Sequence, residues 1–137
     1  LTYNSHPMGC AAALATIRVY EEDHLIDNAR KMGAVMKQLG ADLQKKHPSV
    51  GAVRSIGLFG IFELIRNRKT KQPMAPFNGT SEEMAALGKF FREKGLYTIV
   101  RWNSFYTNPP LCINEEQLRE AFAIIDEGLE ITDRAVA

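Results

Sequence analysis

A chain of 137 residues, 45% hydrophobic and 24% charged with a formal net charge of +1, is the size of one domain and long enough to bury a core without disulfides or metal. Its 17 Lys and Arg are scattered among 16 Asp and Glu rather than gathered in a block, which argues against a nucleic-acid footprint. The longest uncharged apolar runs fall far short of the roughly 20 residues of a membrane span, no basic-then-apolar leader opens the chain, and the expected location is the cytoplasm.

Ser5 is placed to cap a first helix, with Pro7 in its first turn where the missing N–H costs nothing; the pattern runs to about Glu22. Asp23 is the expected cap of a second helix, whose buried face is spelled by Leu25, Ala29, Met32, Met36, Leu39 and Leu43 at spacings of four and three. Pro48 and Gly51 end it. The segment AVRSIGLFGIFELI is rich in Val, Ile, Leu and Phe but broken by Gly57 and Gly60, which predicts one or two strands with a bend. RNRKTKQPMAPFNG, polar and basic with two prolines, reads as an exposed connection. Thr80 and Glu83 make a capping box for a third helix, with Gly95 as its left-handed stop. LYTIV then reads as a strand, WNSFYTN as a loop and PPLCI as an extended segment. Asn114 and Gln117 cap a last helix with Leu118, Ala121, Phe122, Ile125 and Leu129 on its buried stripe.

This order predicts an α+β fold: a small, mostly antiparallel sheet of about three to four strands, with helices packed on one face and the other face free to meet something. No repeat or linker divides the chain.

Little of the sequence carries chemistry by itself. Cys10 and Cys112 lie far apart, each beside apolar residues, and are expected reduced and buried; no metal-ligand spacing is present, and no metal is expected. His6, His24 and His47 all fall near helix boundaries, where a ring commonly caps or contacts backbone. The glutamates sit at helix ends. The lysines belong to amphipathic helices or to the polar connection, and none resembles an amine held in a dry pocket. Two features stand apart. TYNSHP joins a hydroxyl and amides to a helix N-terminus, which is either an ordinary helix start or an anion site. Arg101 follows an apolar strand and is flanked by Trp102, Phe105 and Tyr106; it is either a surface arginine stacked on a ring or a guanidinium set to grip a carboxylate through two parallel hydrogen bonds.

Three segments resemble one family, the class III (omega-type) aminotransferases, pyridoxal-phosphate enzymes of fold type I. TYNSHPMGCAAALATIRVYEE is similar to the family's Thr-Tyr-x-x-His-Pro and Ala-rich helix. VRSIGLFGIFEL resembles its Val-Arg-x-x-Gly-Leu pattern, and NPPLCINEEQLREAF its Pro-Pro-Leu strand and terminal helix. The likeness runs essentially end to end. It implies that residues 1–137 are the C-terminal small domain of a longer enzyme, including a long connecting helix over 5–46, with the catalytic lysine encoded upstream.

Several site assignments follow from the resemblance alone. Thr2 corresponds to a threonine that binds the pyridoxal 5'-phosphate of the neighbouring subunit, with Tyr3 near the same interface, which implies a homodimer. Arg101 corresponds to an arginine that clamps the substrate carboxylate and swings aside for uncharged donors. No catalytic residue is expected in this segment. The reaction implied is amino transfer from an omega-amino acid or amine, of the taurine or β-alanine type, to pyruvate, and the chain alone is expected to be inactive. The alternative is a stand-alone α+β ligand-binding or dimerisation module without catalysis.

Overall fold

Residues 5–137, which the computed structural model describes, open with α1 (Pro7–Glu22), and Pro7 holds its first helical position. The cap differs from the one expected: Ser5 has φ +59°, the N-cap is His6, and the His6 side chain makes no capping hydrogen bond. No residue of α1 is buried, and Met8, Leu14, Ile17, Val19 and Tyr20 all face outward. Asp23 closes α1 instead of opening the next helix, and His24, at φ +50°, turns the chain into α2 (Leu25–Lys46). The stretch 5–46 is therefore two helices joined at an elbow. Along α2, Met32, Met36 and Leu43 are buried at the expected spacing.

β1 (Val50–Ile56) and β2 (Phe59–Leu64) form an antiparallel hairpin closed by Gly57 and Leu58. Gly57 has φ +53°, which a glycine adopts without steric cost. The hairpin tip presses on α2 so closely that a Cβ at Gly33 would lie 2.7 Å from the Gly57 carbonyl carbon. Backbone cannot swing aside as a side chain does, so Gly33→Ala should lower stability by about 1–3 kcal/mol, read from the denaturant midpoint at unchanged m.

The polar connection after β2 is not wholly exposed. Met74 and Ala75 are buried, and Met74 N–H donates to the Leu64 carbonyl at 2.9 Å. α3 (Glu82–Glu93) is capped by Ser81, whose hydroxyl accepts from Met84 N–H, one residue later than the Thr80 cap expected from sequence. Thr80 turns its hydroxyl to the Ser81 carbonyl instead. Glu83 is held below the usual carboxylate range, first by a backbone N–H of the helix start and then by Ser81 and Arg66, against the opposing effect of burial. Gly95 ends the helix region at φ +81°, as expected.

β3 (Val100–Arg101) is shorter than LYTIV suggested, and β4 (Ser104–Thr107) occupies what read as a loop. Trp102, at φ +54°, and Asn103 make the turn between them. PPLCI forms a turn rather than an extended strand: Ile113 N–H donates to the Pro110 carbonyl, and the Asn28 amide on α2 donates to the Leu111 and Ile113 carbonyls. α4 (Glu115–Asp133) carries the complete Asn114–Gln117 capping box.

The sheet has strand order β1-β2-β4-β3 with every pair antiparallel. Phe62, Leu64, Phe105 and Thr107 point toward the helices, where Phe62 stacks on Phe105 at 4.6 Å between ring centroids and meets Phe122 edge-on at 6.1 Å. α2, α3 and α4 cover this face. Cys10 and Cys112, expected to be buried, are free and exposed: one lies on the uncovered α1, the other in the turn before α4.

One polar cluster interrupts the core. His47, 2% exposed at the end of α2, faces Asp133 through Nδ1 at 2.6 Å and Asp126 through Nε2 at 2.8 Å. Both ring nitrogens thus sit within hydrogen-bond reach of a carboxyl oxygen, and the ring bridges the two acids. Ser49 N–H and hydroxyl donate to Asp133, Lys46 donates to Asp126, and Arg68 donates to the carbonyls of Gln44, His47 and Pro48. For Asp126, burial is the largest single influence and works upward, but Lys46 and His47 together outweigh it and hold its carboxyl below its ordinary 3.8.

Candidate functional site: the helix-free face of the sheet

Strand alternation decides which side chains share the uncovered face. Arg101, Ser104, Glu63 and Ala52 lie in one cross-strand row, with Tyr106, Ile61 and Arg54 in the next. Phe105, four residues after Arg101, points the other way and is fully buried, so it does not line this face.

The cations here are not equivalent. Arg54 is paired with Glu63 across β1 and β2. Glu63 is thereby engaged and stands two strands from Arg101, about 10 Å away at normal strand spacing. Among the described residues no carboxylate lies within ion-pair reach of Arg101. Its guanidinium lies over the Trp102 ring, 4.3 Å from the centroid, and Trp102 in turn contacts Phe77 at 4.4 Å. The turn that carries Trp102 is pinned to the sheet, since Leu64 N–H donates to the Asn103 carbonyl at 2.7 Å and the Asn103 amide donates to the Leu64 carbonyl at 3.2 Å. The result is an exposed guanidinium on a rigid edge, free to offer its fork to an incoming carboxylate.

Elsewhere, an apolar cleft of about 620 Å³ lies between α4 and the segments flanking β4, walled by Phe59, Leu96, Tyr97, Ile99, Pro109 and Phe122. No charged residue lines it, and Arg101 is outside it. Thr2 and Tyr3 lie outside the described residues. Every lysine is exposed, on α2, on α3 and its end, or in the connection after β2. Among the described residues no group of His, Cys, Asp and Glu is placed to hold a metal, and no helix is long and apolar enough to cross a membrane. His47 was hidden in the sequence because its two carboxylate partners come from residues about 80 positions later.

The sheet has one face without helices and, at its edge, a guanidinium with no carboxylate partner among the described residues. The family model described as aminotransferase class-III matches residues 1–129, and the chain belongs to that family. It is similar in structure to a taurine:2-oxoglutarate aminotransferase from Bifidobacterium kashiwanohense in complex with PLP and glutamate, with TM-score 0.90 and 30% identity, covering 100% of this chain and 31% of that one. In sequence it is 32% identical to a 5-aminovalerate aminotransferase of Pseudomonas aeruginosa over 92% of this chain and 29% of that protein. It is 28% identical to the ethanolamine-phosphate phospho-lyase homolog 1 of Caenorhabditis elegans over 97% of this chain and 28% of that protein. The chain thus spans less than a third of the length of these relatives.

Class III aminotransferases use pyridoxal 5'-phosphate. The described residues do not by themselves fit that group, because the lysines are all exposed and the apolar cleft is lined without charge.

Proposed function

We propose that residues 1–137 serve as the C-terminal small domain of a longer, homodimeric, cytoplasmic transaminase that moves an amino group from an omega-amino acid or amine to pyruvate. The amine-bearing lysine and most of the cofactor pocket come from sequence upstream, Thr2 and Tyr3 contribute to the cofactor phosphate at the subunit interface, and the chain alone is inactive. The observation that carries this reading is Arg101: an exposed guanidinium without a carboxylate partner, on the face of the sheet that the helices leave uncovered. A planar fork at that position binds the acid end of a substrate by two charge-assisted hydrogen bonds and so fixes the orientation of its amine end. The cofactor, when bound, stores the electrons of the reaction.

The experiment compares β-alanine with propylamine as donors to pyruvate, using the full polypeptide and its Arg101→Gln variant. Loss of a bidentate charged contact should lower kcat/KM for β-alanine about 10- to 100-fold and change propylamine by less than about threefold. Equal loss on both donors would remove Arg101 from carboxylate recognition. Release of ammonia or phosphate without any need for a 2-oxo acid would replace the transaminase by a lyase.

A further inference from the structure

We infer that Trp102 is a positioning residue: its indole holds Arg101 by the flat face of the guanidinium, which leaves the N–H groups of the fork open and presets them for a carboxylate. The inference deepens the reading of Arg101 given above and rests on it.

The described arginines are held in two different ways. Arg30, Arg54, Arg66, Arg68 and Arg119 are fixed through their N–H groups, by carboxylates or backbone carbonyls, and the donors that fix them are thereby used. Arg101 is held through its face, with the guanidinium carbon over the Trp102 ring, 4.3 Å from the centroid. The N–H groups of a guanidinium lie in its own plane, so a ring against the face engages none of them. A carboxylate meets the same cation edge-on, in that plane. Ring and carboxylate therefore occupy different sides of one group and bind it together.

The ring is itself anchored. Phe77 lies against it at 4.4 Å between centroids, and the adjacent Asn103 exchanges two hydrogen bonds with Leu64 of β2. At φ +54° the Trp102 backbone is in a region that a hairpin turn normally gives to Gly, Asn or Asp, so the turn carries a tryptophan against its own preference. What the residue supplies there is the ring. An exposed arginine without such a support samples many rotamers, and a carboxylate that captures it must arrest them. Holding the fork beforehand removes part of that cost. The gain is bounded by the strength of the stack, which for an exposed cation–π contact corresponds to about two- to fivefold in affinity. An uncharged donor makes no contact with the fork and gains nothing.

The test uses the full polypeptide and the ratio of kcat/KM for β-alanine to that for propylamine, which cancels any loss of folded enzyme. Trp102→Ala should lower the ratio about two- to fivefold through KM for β-alanine, and Trp102→Phe, which keeps a flat ring at the same site, should stay within about 1.5-fold of the parent. In an Arg101→Gln background, Trp102→Ala should not move the ratio. Calorimetric titration with propionate, which has the acid end of β-alanine and no amine, gives a readout independent of turnover, and its affinity should weaken about two- to fivefold in Trp102→Ala. A ratio or a propionate affinity that is unchanged or raised in Trp102→Ala overturns the inference, as does an equal fall in Trp102→Phe or in the Arg101→Gln background; with Arg101→Gln itself behaving as expected, the reading of Arg101 stays intact. An Arg101→Gln variant with an unaltered ratio overturns that reading and the inference with it, as does a parent polypeptide that transfers no amino group.

Discussion

His47→Ala should cost about 3 kcal/mol of folding stability, measured as a shift of the urea midpoint at unchanged m. The ring is 2% exposed and, among the described residues, is the side chain that contacts both Asp126 and Asp133, two carboxylates two turns apart on α4, from the end of α2. Removing one member of a buried ionic cluster leaves the others desolvated without compensation, which typically costs about 3–5 kcal/mol. The lower end applies here because Lys46 still holds Asp126 and Ser49 still holds Asp133. His47→Gln, which retains one donor, should lose less. The same cluster fixes a pH dependence. Asp126 is held below its ordinary 3.8, so its contribution is fully present above that value and is lost as pH falls through its lower, folded-state value. Asp126→Asn should therefore flatten the acid limb of the stability curve, and an acid limb unchanged by the substitution would contradict this account.

Phe62→Ala should be worse, at about 3–5 kcal/mol. Phe62 is 1% exposed at the centre of β2, stacked on Phe105 and edge-on to Phe122. Its removal opens a cavity bounded by a sheet on one side and α4 on the other, neither of which can collapse without breaking ladder or helix bonds. The same truncation at Phe77, which is exposed, should cost little stability. Parallel thermal or urea melts of the two variants compare a core ring with a surface ring, and similar losses would count against the packing described.

Periodicity carried most of the architecture. The α2 stripe, the Asn114 capping box, the Gly95 stop and the layered α+β arrangement all follow from spacing and cap chemistry. What escaped did so for identifiable reasons. β4 has only four residues, and two of them, Ser104 and Thr107, are polar although buried, so SFYT resembles a loop until its pairing with Phe62 and Ile61 is known. The connection after β2 looked exposed because its charges outnumber Met74 and Ala75, the two residues it buries. Ser5 and Asp23 have the composition of caps, but positive φ at Ser5 and at His24 reroutes the backbone and moves each helix boundary. At the candidate site the residue type was readable, a cation beside aromatics, whereas which aromatic touches it was not: alternation along β4 sends Phe105 inward, and only the turn geometry brings Trp102 under the guanidinium.

The elbow at Asp23–His24 has a mechanical consequence. α1 is 16 residues long and reaches about 24 Å from that joint at 1.5 Å per residue. A pivot of about 10° there would displace its far end by about 4 Å, so the position of α1 is set by the backbone at one left-handed histidine.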